Sequence, residues 1–315
     1  MSQTQELARH VRGQLARVVV GQREVLDQLF LVLLVGGHAL VEGVPGLAKT
    51  LAVKALANIF QLKFQRVQCT PDLMPADVIG ANVFNMGTSS FALHHGPIFT
   101  DLLLVDEINR TPPRTQSALL EAMEERQVTI DGKGYELTPF FTVFSTQNPV
   151  EFEGTYPLPE AQLDRFVAKI RISYPDGQQE VQILENVQNG FDSRELKKVA
   201  FETVAPETLM AAKAEAAQVK VEPALFDYIV KLVGRTRNWP SVSLGGSPRA
   251  AISLMLFAKG MAAAEGRDFL IPDDVKAAAL PILRHRLVLK PEAELEGITA
   301  DQVVRDVVKG VEVPK

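Results

Sequence analysis

The hydrophobic residues of this chain follow two different spacings. Short, mostly apolar runs predict buried strands, and they cover residues 38–41, 64–68, 102–105, 140–145 and 168–172. Elsewhere apolar residues recur every three or four positions, which predicts helices over residues 3–17, 23–35, 51–57, 115–125 and 158–166. Strands that alternate with helices in this way predict an α/β core with a parallel sheet between two helical layers.

Two segments interrupt this alternation and predict β-hairpins. Residues 127–130 and 135–137 flank the turn 131–134, which contains the strong turn signal Asp-Gly. Residues 81–94 form a second hairpin with a small polar loop, inserted between two core strands. This insert is either a surface hairpin without a role or a loop that faces a pore or a partner, because long inserted segments tend to be functional.

The chain changes character near residues 174–177. Beyond them the strand pattern stops, and helices, several with proline at their start, are predicted over residues 178–187, 206–217, 223–235, 248–265 and 272–285. We therefore predict a core domain over residues 1–175, with the hairpin near 81–94 inserted in it, and a small all-α domain over residues 176–315.

Composition excludes several classes of protein. The chain has 315 residues, of which 46% are hydrophobic and 23% charged, as in globular proteins. Its longest apolar run near the start, residues 29–35, is far shorter than the ~18 residues of a membrane span, and residues 1–6 lack the basic and then apolar pattern expected of a signal peptide. A single cysteine, Cys69, fits a reducing cytoplasm. A net charge of -5 disfavours a nucleic-acid surface.

Residues 42–50 have the pattern of a phosphate-binding loop. A predicted strand runs into Gly43 and Gly46, and Lys49 and Thr50 open a helix. Backbone N–H groups and the positive end of the helix would hold phosphate oxygens, the Lys49 ammonium would reach the β- and γ-phosphates, and Thr50 would hold Mg²⁺. Ala48 replaces the last glycine of the usual pattern, which is tolerable if its backbone is helical. The alternative is an ordinary glycine turn before a helix.

Two carboxylates, Asp106 and Glu107, follow the apolar run 102–105. The carboxyl ends of strands in open α/β sheets are where ligands bind. Asp106 would hold Mg²⁺ and Glu107 would polarise the water that attacks a phosphate. The alternative is a buried strand with acidic residues at its exposed end. The phosphate-binding loop upstream disfavours this alternative.

Four further positions carry candidate chemistry. Asn148 follows a predicted strand, where it would bond the attacking water or the γ-phosphate, or would simply form a turn before proline. Arg165 is either a solvated charge at a helix end or an arginine finger offered to a neighbouring subunit. Arg249 places a positive charge at the start of a predicted helix, where the helix dipole disfavours it, and this misfit favours a phosphate contact over a structural role. Residues 20–22 form a turn or flank the adenine.

Taken together, these motifs resemble the AAA+ ATPases and, within them, the MoxR family, over nearly the whole chain. The most specific stretches are EGVPGLAKT at 42–50, LVDEINR at 104–110, TQSALLEAM at 115–123, TQNP at 146–149 and GSPRA at 246–250. The family's own loop also departs from the general pattern as Ala48 does.

The resemblance implies an AAA+ P-loop core, an αβα sandwich, followed by a helical lid, with ATP and Mg²⁺ bound at the subunit interfaces of a ring, usually a hexamer. It implies that residues 81–94 are the family's insert, which faces the pore in related rings. It assigns Asn148 as the first sensor, Arg165 as the finger and Arg249 as the second sensor. The predicted catalytic residues are Lys49, Glu107, Asn148, Arg165 and Arg249. The predicted nucleotide site comprises Val20, Gly21, Gly43, Val44, Pro45, Gly46, Leu47, Ala48, Lys49, Thr50, Leu51, Asp106 and Arg249, and the Mg²⁺ ligands are Thr50 and Asp106.

The functional hypothesis is an ATP-hydrolysing, Mg²⁺-dependent ring that acts in the cytoplasm as a chaperone-like motor on partner proteins. The resemblance implies a partner with a von Willebrand factor A domain and, in some relatives, insertion of a metal cofactor. The alternatives are a chelatase motor subunit, an ATP-gated assembly scaffold, and a nucleic-acid motor. The presence of both Asp106 and Glu107 disfavours the scaffold, and the acidic net charge disfavours the nucleic-acid motor.

Overall fold

A computed structural model describes residues 2–44, 46–87, 89–148 and 155–314. The first part of the chain contains α1 (Gln3–Ala16), α2 (Arg23–Val35), β1 (Ala39–Glu42), α3 (Lys49–Ile59), β2 (Phe64–Gln68), α4 (Pro75–Ile79), β3 (Gly80–Asn85), β4 (Ser90–His95), β5 (Leu102–Asp106), α5 (Pro113–Glu125), β6 (Gln127–Ile130), β7 (Lys133–Glu136), β8 (Thr142–Gln147), α6 (Glu160–Leu163) and β9 (Ala168–Arg171). The second part contains α7 (Gly177–Gln188), α8 (Pro206–Ala217), α9 (Pro223–Arg237), β10 (Val242–Leu244), α10 (Pro248–Ala264), α11 (Pro272–Leu283), β11 (Val288–Leu289), α12 (Pro291–Leu295) and α13 (Ala300–Gly310).

The core is a five-stranded parallel sheet in the order β2-β5-β8-β1-β9. Alternate side chains of β5 point to opposite faces, as the pleat requires. Leu102 and Leu104 belong to the apolar cluster that α1, α2 and α3 share, whereas Leu103 and Val105 belong to the cluster built on α5. The sheet is therefore covered on both faces, which confirms the predicted αβα sandwich.

The predicted strands are present with shifted ends. The strand predicted over residues 140–145 is observed as Thr142–Gln147, because pairing starts where the Thr142 N–H donates to the Asp101 carbonyl at 2.8 Å. It continues through two polar residues that pair with β1. The strand predicted over 38–41 begins one residue later and includes Glu42, which pairs with β8 and β9. The helix predicted over 158–166 is reduced to the single turn α6.

Both predicted hairpins form. β3 and β4 pair antiparallel from Gly80 opposite His95 to Asn85 opposite Ser90. β6 and β7 pair with Ile130 opposite Lys133, so their turn contains two residues rather than the predicted four. The inserted hairpin carries exposed apolar side chains near its tip, and the Phe84 and Phe91 rings meet edge to face at 5.2 Å.

The second part of the chain is mainly helical, as predicted, but it is not all-α. β10 and β11 form a two-stranded antiparallel ribbon that holds the ends of α9 and α11 together. Strands of two or three residues show no periodicity that a sequence pattern could reveal. α8 and α10 pack on α1 and α2, and Gly260 allows this contact because a Cβ there would lie 2.8 Å from Val35 Cγ1. Among the helices of the described residues, none combines the length and apolar composition that a membrane crossing requires.

Candidate nucleotide-binding and hydrolysis site

The phosphate loop connects β1 to α3. Gly43 is required by packing, since a Cβ there would lie 2.9 Å from the Ile172 carbonyl oxygen. Gly46 has a φ of +88°, a region that glycine adopts without strain. Ala48, the residue before α3, has φ 56° and ψ 19°. The condition under which alanine would be tolerable here, a right-handed helical backbone, is therefore not met, and the missing glycine leaves a left-handed alanine. Pro45 lies outside the described residues.

The Lys49 side chain folds back over the loop. Its ammonium donates a hydrogen bond to the Gly43 carbonyl at 2.6 Å. Burial lowers the pKa of Lys49, and the negative charges of Asp106 and Glu107 act in the opposite direction. The loop follows β1 and the two carboxylates lie at the end of β5, and both strands pair parallel with β8. Lys49, Asp106 and Glu107 therefore lie at the same carboxyl edge of the sheet.

Asp106 ends the buried strand β5 and is held on both carboxylate oxygens. Thr146 Oγ1 donates to its Oδ1 at 3.0 Å, and Arg66 Nε donates to its Oδ2 at 2.6 Å. Thr146 also accepts the backbone N–H of Glu107 at 2.9 Å. These bonds fix the orientation of the carboxylate that is predicted to hold Mg²⁺.

Glu107 follows with a left-handed backbone, φ 60° and ψ 51°. Gln68 Nε2 donates to its Oε2 at 3.0 Å, and Arg110 Nε lies 3.3 Å from the same oxygen. The sequence did not point to Gln68 or Arg66. Both lie on β2, and Gln68 stands opposite Asp106 in the β2–β5 register. That neighbourhood can be found only once the strand order is known.

Asn148 directly follows β8, the strand between β5 and β1. Its side chain is buried. The carboxyl ends of parallel strands lie at one edge of the sheet, so Asn148 stands between the two carboxylates and the phosphate loop. This placement fits the predicted first sensor, and the predicted contact with water or the γ-phosphate stays a prediction.

A cleft of about 830 Å³ opens beside the loop, within the size range of small-molecule sites. Of the predicted residues, those that line it are Val20, Gly46, Leu47, Ala48, Lys49, Thr50 and Leu51. Gly43, Val44 and Asp106 do not line it. Neither does Gly21, which is instead held close to the start of α7: a Cβ there would lie 2.4 Å from Gln179 Oε1.

The far wall of the cleft was not predicted. Its apolar residues Val18, Val19, Ile183, Val187 and Phe191 suit a purine ring, and Lys54 lies one helical turn beyond Thr50. Ile183 and Val187 belong to α7, beyond the predicted domain boundary at residue 175. That boundary stays a prediction, but the cleft uses residues on both sides of it.

Arg165 and Arg249 are brought together, but away from this cleft. Arg165 Nε lies 3.5 Å from Glu124 Oε2, and Arg249 Nη2 donates to the other oxygen of the same carboxylate. Neither arginine lines the cleft. The structure therefore does not bring Arg249 to the nucleotide site of its own chain.

The strand register shows where this arginine pair lies. Arg165 precedes β9, whose Ala168 pairs with Ala39 at the start of β1, whereas the loop follows Glu42 at the end of β1. The pair and the loop are thus at opposite edges of the sheet, separated by at least ~10 Å of strand. Glu124 is at the same edge, since the neighbouring Met123 carbonyl contacts His38 Nε2, just before β1, at 3.0 Å.

The residues at the carboxyl edge fit ATP and Mg²⁺. Thr50 and Asp106 offer the hydroxyl and carboxylate oxygens that Mg²⁺ prefers, and the start of α3 offers backbone N–H groups and a helix dipole to phosphate. Lys49 supplies positive charge between them. The arrangement suits phosphoryl transfer to water, and the role of Glu107 in orienting that water stays a prediction.

Comparison with known proteins agrees with this chemistry. Residues 38–168 match the ATPase family associated with various cellular activities (AAA), and residues 234–307 match the AAA lid domain. YeaC of Bacillus subtilis is 46% identical over 95% of this chain and 92% of its own length. Chaperone MoxR1 of Mycobacterium tuberculosis is 40% identical over 95% of this chain and 80% of its own length.

A more distant relative and a solved structure extend the comparison. Protein MoxR of Methylorubrum extorquens is 29% identical over 97% of this chain and 94% of its own. A crystal structure from Cytophaga hutchinsonii, described as a candidate ATPase, superposes with a TM-score of 0.90 at 40% identity, covering 99% of this chain and 96% of that one. The chain therefore belongs to the MoxR family of AAA+ ATPases.

Proposed function

We propose that this protein is an Mg²⁺-dependent ATPase that works as a ring of identical subunits and remodels, assembles or activates partner proteins. One observation carries the proposal. The residues suited to bind and hydrolyse ATP lie at one edge of the sheet, whereas Arg165 and Arg249 lie at the other edge. Arginines in that position serve the nucleotide of a neighbouring copy rather than that of their own chain.

In the proposed reaction a water attacks the γ-phosphorus, and the bond to the bridging oxygen of ADP breaks. Glu107 accepts a hydrogen bond from the water and orients it. Lys49 and the loop N–H groups hold the phosphate oxygens. Thr50 and Asp106 would hold Mg²⁺, which would neutralise charge on the phosphates. Arg66, bonded to Asp106 at 2.6 Å, keeps the carboxylate oriented. Asn148, which follows the neighbouring strand β8, bonds the attacking water or the γ-phosphate.

The proposed interface joins different surfaces of two copies, the cleft of one and the arginine pair of the next. A head-to-tail interface of this kind repeats around a ring if the rotation closes. A hexamer, a von Willebrand factor A partner and a cytoplasmic location are inferred from resemblance to the family. The chelatase subunit remains the alternative that shares this geometry.

The inserted hairpin is proposed to contact client proteins. Phe91 is 72% exposed and Met86 is 88% exposed, beside Phe84 in the aromatic pair. Contiguous apolar side chains of this kind mark interaction surfaces. They suit exposed apolar segments of a client, and the relative named Chaperone MoxR1 is consistent with such a role.

The test is the ATPase rate per subunit, measured against protein concentration for the wild type, Arg165→Ala, Glu107→Gln and an equimolar mixture of the two variants. Each variant alone is expected to lose ~10³-fold or more of the rate. In mixed rings about one interface in four joins an intact cleft to an intact arginine, so the mixture should recover activity. Arg305→Ala, at an exposed arginine on α13, is the matched control. A wild-type rate per subunit independent of concentration, with a fully active Arg165→Ala, would refute the proposal.

A further inference from the structure

Glu124 joins the two arginines into one unit. It lies near the end of α5, and its two carboxylate oxygens contact different guanidiniums, Oε2 that of Arg165 and Oε1 that of Arg249. The three side chains are each about one-third to one-half exposed. They thus form a charged surface cluster, in which one carboxylate contacts two guanidiniums from distant parts of the sequence.

The backbones that carry the two arginines are also tied together. Asp164, beside Arg165, accepts a hydrogen bond from Ser247 Oγ at 2.8 Å, and Ser247 caps the helix whose first turn holds Arg249. Asp164 also accepts from Arg286 Nε at 2.6 Å, and the Arg286 side chain is only 2% exposed. The chain beside Arg165 and the start of α10 are therefore tied to each other through Asp164, which is itself bonded to the buried Arg286.

Glu124 contacts the guanidiniums of Arg165 and Arg249 and leaves N–H groups of both available to another anion. Its contact with Arg165 is at Nε, 3.5 Å from Glu124 Oε2, and a guanidinium has two further nitrogens that can donate to an anion. It takes one nitrogen of Arg249, and a guanidinium carries five N–H donors in a fixed fork. Two cations against one carboxylate leave a surplus positive charge, as an incoming phosphate requires.

Without the carboxylate, the same two guanidiniums would repel each other. Arg249 also stands in the first turn of α10, where the helix dipole disfavours a cation. Glu124 offsets both effects. A neutral side chain at residue 124 would let the two arginines separate, so that they would no longer converge on one anionic group.

We infer that Glu124 is a positioning residue for ATP hydrolysis: it holds Arg165 and Arg249 as a convergent pair for the γ-phosphate bound to a neighbouring copy. This inference rests on the proposed function. A surface salt bridge without this role would be worth about 0–1 kcal/mol of stability and would leave the turnover rate unchanged.

The test compares Glu124→Gln, which removes the charge and keeps the size, with Glu121→Gln, an exposed residue one turn earlier on the same helix. Glu124→Gln should lower kcat about ten-fold or more, because small misplacements of catalytic groups have large effects on rate. Its affinity for a fluorescent ADP analogue should equal that of the wild type, since the cleft is at the other edge of the sheet. Glu121→Gln should keep the wild-type kcat, and Glu124→Asp should recover part of the loss.

Mixing experiments locate the defect. Glu124→Gln mixed with Glu107→Gln should regain activity, because Glu107→Gln subunits supply intact arginines to intact clefts. Glu124→Gln mixed with Arg165→Ala should not exceed the mean rate of the two variants measured alone, because the arginine side is then defective in every subunit. A recovery in that second mixture, or a kcat of Glu124→Gln within about two-fold of Glu121→Gln, would overturn the role of Glu124.

The two proposals fail in different ways. If Arg165→Ala retains the wild-type rate, the shared site between copies is refuted, and the role of Glu124 falls with it. If Arg165→Ala is inactive while Glu124→Gln is fully active, the shared site stands and only the positioning role is lost. Thermal melting of each variant shows whether a lower rate reflects a lower folded fraction.

Discussion

Arg249 donates to the carboxylate of Glu124 at the sheet edge where the strands begin. This contact predicts that Arg249, like Arg165, acts on the nucleotide of a neighbouring copy. Arg249→Ala should therefore lose ATPase activity and recover it when mixed with Glu107→Gln. The physical reason is that a lid arginine held by Glu124 is at least ~10 Å of strand away from the Lys49 loop of its own chain.

Mixing Arg249→Ala with Arg165→Ala distinguishes the two possible arrangements. If both arginines act across the interface, this mixture stays inactive, because no subunit supplies a complete pair. If Arg249 acts on its own nucleotide, the clefts of Arg165→Ala subunits receive Arg165 from their neighbours, and the mixture regains activity. The second result would contradict the arrangement seen here.

Ala48→Gly is expected to stabilise the protein by about 0.5–1 kcal/mol. Ala48 has a left-handed backbone, with φ 56°, and this conformation costs an alanine roughly 1–2 kcal/mol, which glycine avoids apart from its greater freedom in the unfolded chain. Urea denaturation without nucleotide measures the difference. Ala52→Gly, inside α3, should have the opposite sign, and a destabilised Ala48→Gly would show that the strain is absent.

His38 should make stability depend on pH. The imidazole of His38 is buried and makes two hydrogen bonds: Nε2 donates to the Met123 carbonyl, and Nδ1 accepts from the Val143 N–H. Burial lowers the pKa of His38 to about 4, whereas an unfolded histidine has a pKa of about 6.5. Between these values only the unfolded chain gains the proton. The free energy of unfolding should therefore fall as pH is lowered from 6.5 to 4, by up to about 3 kcal/mol.

Urea midpoints measured from pH 7 to pH 5 test this dependence. His38→Gln should be less stable at pH 7, because it disturbs two buried hydrogen bonds, but its stability should change less with pH. Some dependence should remain, since burial also lowers the pKa of His285. His94→Gln, at an exposed position on β4, should keep the full wild-type slope. An unchanged slope in His38→Gln would show that other groups dominate.

The inserted hairpin should affect clients rather than catalysis. Phe84 and Phe91 are exposed and form a pair on the β3–β4 hairpin, which is separate from the sheet that carries the hydrolytic residues. Replacing both with serine should leave basal ATPase activity and thermal stability unchanged. Stimulation of ATPase activity by a reduced, permanently unfolded protein should be lost. Leu295→Ser, at another highly exposed apolar residue, is the control, and an unchanged stimulation in the double variant would exclude the hairpin as a client contact.

Much of the fold follows from local pattern. The apolar run before Asp106 predicted a doubly buried strand, because such a strand has no polar face to show. The loop residues Lys49 and Thr50 were found for a similar reason, since strand, glycine turn and helix are contiguous in sequence. Features whose cause lies within a few residues of chain were predictable.

What was missed depends on contacts between distant segments. Glu124 is one of several acidic residues on an amphipathic helix, and nothing near it in sequence indicates two arginine partners. Arg66 and Gln68 reach Asp106 and Glu107 only because β2 pairs with β5. The left-handed backbone of Ala48 could not be predicted either, because alanine rarely adopts this conformation.

Helix α7 has no buried residue among its own, yet Ile183 and Val187 form part of the wall of the cleft. A helix with so little packing gains little from tertiary contacts and opens more readily than the core. A purine ring against its apolar side would supply the burial that it lacks. The bound nucleotide would then complete the hydrophobic packing of α7. Slower amide exchange and slower proteolysis along residues 177–188 would report its binding.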